Sequence, residues 1–404
     1  MKINSKAIII LILIHKLLSA DSVIDNFFLS EVDENIDAII SQKESNNKFG
    51  LIEKAKLSVE HSHFSDVERD YTLKIYTKGF SEAKNEENIY NLRRDLFIKK
   101  GLLSKSKALR DKYKTLIEAI YQDRLLTLTN REIRIEKKNL KITKAMAEKE
   151  SDILKIYNIQ DNIDSLKLKK FQLKQEHNIF LENISLISNS EIKDIKREIN
   201  DYIFTHSIKT TNYISQHIDT LSIDVENNIL LNSDADKIRL SEHKIDLIKA
   251  KNGIKLDSIQ LKYDDSKKSK NAFSVGLSIE VPIPPSNSKI MNEKLKFLSL
   301  KSKADKDSKS IQYRVKKLKI DIKYLSKYLK KINHQITKSN ISTPKNSYYK
   351  IKLSLKMRQK SLKLEKRKSK ILYQILQKYI TILYIADKLE ESKLKDIIRD
   401  KGIS

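Results

Sequence analysis

The sequence contains no cysteine, no tryptophan, 6 glycines and 4 prolines in 404 residues. Without cysteine there can be no disulfide, thiolate metal ligand or thiol nucleophile. With so few loop-punctuating residues, the mixture of Lys, Leu, Ile, Glu and Asp points to long helices rather than a compact α/β domain. The chemical signatures G-x-x-x-x-G-K-[ST], G-x-G-x-x-G, G-x-S-x-G and H-E-x-x-H are also missing. His61 and His63 stand two apart with no third ligand in view, and Asp264–Asp265 neighbour lysines as solvated loop charges do. The expectation is a protein that is not an enzyme and holds no metal and no cofactor. After residue 20, no apolar run approaches the ~20 residues of a membrane-spanning helix.

The first residues carry a localisation signal. Lys2 and Lys6 precede an apolar core from Ala7 to Ile14, and Leu17-Leu18-Ser19-Ala20 ends on a small residue. Residues 1–20 therefore read as a secretory signal peptide cleaved after Ala20. The net charge of +27 would suggest nucleic acid for an intracellular protein. An exported chain meets other polyanions instead, such as anionic lipid, surface polymers or acidic proteins. The abundance of Ile, Lys and Asn also fits an AT-rich genome, so part of the basic balance is compositional drift.

One stretch departs from the helical background. In residues 272–283, Phe273, Val275, Leu277, Ile279, Val281 and Ile283 alternate with Ala272, Ser274, Gly276, Ser278, Glu280 and Pro282. That period of two marks a β-strand with one apolar face and one small or polar face. Its length suits a tilted bilayer-crossing strand, which needs roughly 9–11 residues. Such a strand must pair with others, because an unpaired edge in lipid leaves backbone groups unsatisfied.

Elsewhere the dominant period is 3.5. Ile311, Val315, Leu318, Ile322, Leu325, Leu329, Ile332 and Ile336 follow alternating steps of four and three. Leu372, Ile375, Tyr379, Ile382, Ala386 and Leu389 form a second seam after Pro344. Ile156, Ile159, Ile163, Leu166, Leu173 and Phe180 form a third, interrupted by Lys170 and His177. Such seams belong to helices that supercoil around neighbours.

The chain also repeats. DYTLKIY at 70–76 resembles DSIQLKY at 257–263, and at about the same offset Leu96-Phe97-Ile98 falls on Val281-Pro282-Ile283. This predicts strands near 71–79 and 88–98 in the first half and near 257–263 and 272–283 in the second, each pair a hairpin. AEKESDILKI (147–156) and RQKSLKLEKR (358–367) each set a serine before a renewed apolar helix. Ser151 with Asp152, and Lys360 with Ser361, are thus the predicted tips of two helical hairpins, with the serines as N-caps. Lys149, Lys360, Lys363 and Lys366 gather near these tips.

The order of these elements resembles the TolC-type outer-membrane efflux proteins across roughly residues 50–395. Ala250-Lys251 closing a helix, then Ile259-Gln260-Leu261, then VGLSIEVPIP and a long helix from Asn292 to Ile336 match the family's helix–strand–strand–helix order. SDILKIYNIQDNIDSL resembles the family's tip and ascending helix, and ILYQILQKYITILYIADKLEE its closing helix.

The fold class expected is mainly α, with long coiled-coil hairpins in two structural repeats, residues 21–235 and 236–404. The first repeat would hold a hairpin over 101–185 and the second over 289–395. The resemblance implies a homotrimer in which each protomer gives four short strands to one 12-stranded barrel in the outer membrane. It also implies a helical tunnel extending into the periplasm and docking on a periplasmic adaptor protein and an inner-membrane transporter. The function implied is that of a passive channel in a tripartite efflux pump or type I secretion system. Partners would then be outer-membrane lipid and protein, with no nucleic acid. In that arrangement Phe273, Val275, Leu277, Ile279 and Val281 face lipid, and Glu280 faces the lumen. The rival readings are a periplasmic coiled-coil scaffold without a pore and a periplasmic adaptor with a single helical hairpin.

Overall fold

The computed structural model describes residues 27–28, 50–61, 69–146, 150–201, 207–224, 228–265, 272–281, 288–339 and 348–389. The expected signal peptide at 1–20 lies outside them. Four strands, β1 (Ile52–His61), β2 (Arg69–Thr77), β3 (Lys255–Asp265) and β4 (Ala272–Glu280), form one antiparallel sheet in the order β1-β2-β3-β4. The helices are α1 (Phe80–Ala145), α2 (Glu150–Ser188), α3 (Ile192–Asp201), α4 (Ser207–Thr220), α5 (Ile229–Lys251), α6 (Ser288–Ser339) and α7 (Tyr348–Ile385). No described helix is long and apolar enough to cross a membrane.

The chain divides into two compact units that cut across the two sequence repeats. One comprises Met1–Ile36, Ser104–Asp224 and Ile311–Ser404; the other comprises Asp37–Leu103 and Val225–Ser310. The expected repeat boundary at 235/236 falls inside α5. That helix starts at the Asn228 N-cap, whose side chain accepts a hydrogen bond from the Leu231 amide.

The first unit is helical and its core follows the heptad seams. Val315, Ile322, Leu329 and Ile332 of α6 are buried, as are Leu372, Ile375, Tyr379 and Ile382 of α7. In α2 the seam runs through Ile163, Leu166 and Leu173, and His177 continues it, buried at 4% exposure. Charged residues on the flanks tie neighbours together. Glu365 of α7 meets Arg124 and Arg131 of α1 at 3.5 and 3.8 Å. Gln359 donates to Glu136 at 2.7 Å, and Lys366 pairs with Glu132. Tyr121 stacks on Tyr373 with centroids 4.5 Å apart. Rising numbers on α1 meet falling numbers on α7, so the two run antiparallel.

Two expectations are corrected here. Residues 88–98 are not a strand but part of α1. Ile89, Leu92 and Leu96 follow the helical spacing of three and four, Ile89 is buried, and Asn85 one turn earlier contacts His243 of α5 at 3.1 Å. The first strand of the sheet is instead β1. Likewise Lys360 and Ser361 are not a hairpin tip, because α7 runs unbroken through them. Their neighbours Leu362 and Leu364 are buried, Gln359 and Lys366 are tied to α1, and no Gly or Pro breaks the run. Helix α6 ends at Ser339 and α7 begins at Tyr348; Pro344, which lacks the amide a helix interior needs, lies between them in residues outside the described ones.

Candidate functional site: a two-faced sheet

Residues directly opposite one another in an antiparallel pair share a face, so the register defines what each face carries. Val59, Tyr71, Tyr263 and Phe273 form one row across the sheet. Leu57, Leu73, Leu261 and Val275 form the next, and Ala55, Ile75, Ile259 and Leu277 the one after. Leu256 and Ile279 extend it past a register shift in β3. One face is therefore apolar across all four strands. Within this unit it is uncovered on the edge strands, with Leu57 and Leu277 each 68% exposed. Val281 is the first residue past β4 and is also exposed.

The opposite face is polar. Its rows read Lys54–Tyr76–Ser258–Ser278, Lys56–Lys74–Gln260–Gly276, Ser58–Thr72–Lys262–Ser274 and Glu60–Asp70–Asp264–Ala272. Lys262 is neutralised by Asp70 at 3.0 Å. Lys54 and Lys74 both lie over the Tyr76 ring, 4.4 and 4.9 Å from its centroid.

Glu280, on this polar face, closes β4. Its carboxylate lies 3.4 Å from Lys255, which also meets Glu82 at 3.3 Å. Lys251 reaches Glu82 and Glu86 at 3.5 and 3.3 Å, and Lys78 pairs with Glu86 at 2.7 Å. Glu82 is nearly enclosed, so its charge is held by two lysines. This network fastens one end of the sheet to α1 and α5.

The predicted first tip adjoins residues 147–149, which lie outside the described residues. Ser151 and Asp152 are the second and third residues of α2, so Ser151 lies inside the first turn rather than at its cap. Asp152 pairs with Lys155 at 2.7 Å. Lys149 lies outside the described residues. The residues that sequence reasoning missed are those of β1. Ala55, Leu57 and Val59 alternate with Lys54, Lys56, Ser58 and Glu60, a period-two signal partly hidden by the surrounding lysines.

A second titratable cluster lies in the helical unit. Burial pushes the His177 imidazole below its usual range, against the opposing pull of Asp123. Burial also raises the Asp123 carboxyl. The His177 Nε2 has no hydrogen-bond partner among the described residues. His217 Nδ1 lies 2.6 Å from the Tyr379 hydroxyl, a contact inside the core between α4 and α7.

A four-stranded antiparallel sheet with two long helical hairpins, strands and hairpins recurring twice along the chain, is the protomer fold of TolC-type outer-membrane channels. Three solved structures share it. The open-state MtrE outer-membrane channel of Neisseria gonorrhoeae superposes with a TM-score of 0.59 at 11% identity, over 90% of this chain and 87% of that one. The outer-membrane protein VceC of Vibrio cholerae gives 0.59 at 6% identity, covering 90% and 95%. The CmeC outer-membrane channel of Campylobacter jejuni gives 0.55 at 10%, covering 94% and 89%. No protein-family model matches the sequence, nor does any curated protein sequence.

Proposed function

We propose that this protein is a trimeric outer-membrane channel that acts as a passive conduit for export. The observation that carries this reading is the two-faced sheet. An uncovered apolar face spanning four strands has no place in water, but it suits the lipid-facing band of a membrane barrel, whose interior is polar. Phe273, Val275, Leu277 and Ile279 would face lipid, and Lys54, Lys56 and Lys74 the lumen. Four strands are too few to close a barrel, and β1 and β4 pair with no further strand among the described residues. Joining β4 of one copy to β1 of the next removes every edge, and rotational symmetry closes the ring. Three copies give twelve strands, about the size resemblance to the family implies.

The helices point the same way. On α6, Met291, Leu295, Leu298, Tyr313, Ile320 and Tyr324 are exposed opposite or beyond the buried seam. On α2, Tyr157, Leu168, Phe171 and Ile179 are exposed as well. These second stripes suit packing between copies. The 39 residues of α2 and 38 of α7 each reach about 57 Å at 1.5 Å per residue, long enough for a tunnel in the periplasm. The ends at which α1 gives way to α2 and α6 to α7 would dock an adaptor and an inner-membrane transporter of an efflux pump or type I secretion system. A coiled-coil scaffold explains the seams but not the sheet, and a single-hairpin adaptor does not explain two hairpins.

The test is fractionation followed by mass measurement of the detergent-extracted protein. The channel reading expects outer-membrane material of three copies with heat-modifiable β-structure. A monomer released by osmotic shock overturns it.

A further inference from the structure

The polar face of the sheet carries charge in an arrangement that the fold does not require. Lys56 and Lys74 are directly opposite one another, a placement that costs stability through like-charge repulsion. Lys54 sits in the adjoining row on the same face. Among the described residues none of the three has an ion-pair partner, although Lys262 and Lys255 on the neighbouring strand are both neutralised, by Asp70 and Glu280. The rows holding the three lysines continue across β3 and β4 as Gln260, Gly276, Ser258 and Ser278, with no acid among them.

In a closed barrel, β4 of one copy meets β1 of the next, so Lys54 and Lys56 of β1 would lie beside a strand of serine and glycine, while Lys74 on β2 stays between Lys56 and Gln260. The unpaired cations would thus stay unpaired on assembly and recur in every copy around one belt. Acidic residues on this face collect elsewhere. Glu60, Asp70 and Asp264 share the row at the far end of the sheet, and Glu280 lies at the end next to the helices.

We infer that this belt of Lys54, Lys56 and Lys74 makes the barrel lumen selective for anionic solutes. The inference rests on the channel reading proposed above and names the chemical class it passes. Rings of cationic side chains favour anions by lowering the electrostatic cost of entry, and long flexible lysines can hand a solute along without trapping it. The neutral half of each row leaves room for solutes larger than chloride, such as carboxylates or organic phosphates. The same belt opposes cationic solutes.

The test uses the full-length trimer in planar bilayers under a potassium chloride gradient. The sign of the reversal potential reports whether chloride or potassium is preferred. The wild type is expected to prefer chloride. The triple variant Lys54→Glu, Lys56→Glu, Lys74→Glu is expected to reverse the sign, and the corresponding triple Lys→Arg variant to retain the wild-type sign. All substitutions lie on the polar face, and persistence of the heat-modifiable trimer reports that the barrel still forms. A potassium-preferring wild type overturns the inference while leaving the channel reading intact. Chloride preference that survives the triple Glu substitution places selectivity outside this belt and also overturns it. An inserted trimer that passes no current overturns the channel reading and the inference together.

Discussion

The sheet and the helical unit use the same residue types to opposite ends. In the helical unit, Ile322 and Leu329 are fully buried at 0% exposure, whereas Leu57 and Leu277 in the sheet are each 68% exposed. The seams fold against other parts of their own chain, as a protein in water must. The sheet keeps its apolar residues outward and gathers lysine, serine and glycine on its other face. The same alphabet thus fills a buried core in one unit and an uncovered face in the other. The discriminating signal is the polar partner set, since the helical seams are backed by solvated lysines and the strand residues by a common polar wall.

Four tests probe this contrast, in descending order of effect, the second of them a matched pair of substitutions. Leu329→Ala removes fully buried volume from the helical core and should cost about 2–5 kcal/mol, read as a lower thermal midpoint of the helical circular dichroism signal. Leu277→Arg should cost about 2–4 kcal/mol per copy if it sits at the mid-bilayer, read as reduced folding into lipid vesicles. Ser278→Arg, on the next residue and the opposite face, should fold nearly as well as the wild type. Equal penalties at 277 and 278 would erase the distinction between the faces.

The third concerns pH. Because burial holds the folded His177 below its usual value, the unfolded chain binds the proton more readily. Stability from this group is therefore complete above about pH 6.5 and declines as pH falls toward the folded value. Asp123, raised by burial, acts in the opposite sense in the more acidic range, gaining stability as pH falls. In urea titrations, His177→Gln should flatten the decline below about pH 6.5. An unchanged profile would locate the pH sensitivity elsewhere. The smallest effect belongs to Lys323→Ala, which breaks an exposed pair with Asp219 2.6 Å away and should cost about 0.2–1 kcal/mol, shrinking with added salt.

What the sequence disclosed follows from the strength of each local pattern. β4 was legible because Phe273 to Ile279 alternate without a charge between them. The seam of α6 was legible because eight positions keep a strict 3.5 period, and that of α7 because four do, with Ala386 and Leu389 continuing the spacing past the helix end. The first-half hairpin was misassigned because DYTLKIY and DSIQLKY look alike for a reason other than repetition. They are β2 and β3, adjacent strands whose Tyr71, Leu73 and Ile75 sit opposite Tyr263, Leu261 and Ile259. The true counterpart of β2 is β4, 203 residues later at both ends, from 69 to 272 and from 77 to 280. With that correction, the strand sought at 88–98 was really β1, upstream rather than downstream of β2.

The false tip at Lys360 and Ser361 has a related origin. A serine among polar residues signals a cap only when the preceding helix stops, and here Leu355, Leu362 and Leu364 keep the buried stripe running. Pro344 was the stronger signal and lies between Ser339, the end of α6, and Tyr348, the start of α7, outside the described residues. The charge network around Glu82 and the lysine belt could not be read in advance, because each is assembled from segments more than 150 residues apart or from an unrecognised strand.

The absence of native cysteine makes one measurement direct. Single cysteines at Leu277 and Ser278, introduced separately into the full-length protein in lipid vesicles, report which face meets lipid. The account predicts that Leu277→Cys resists a membrane-impermeant maleimide and that a fluorophore placed there is quenched from within the bilayer. Ser278→Cys should react with the aqueous reagent and escape that quencher. Equal aqueous reactivity at both positions in the folded protein would contradict it.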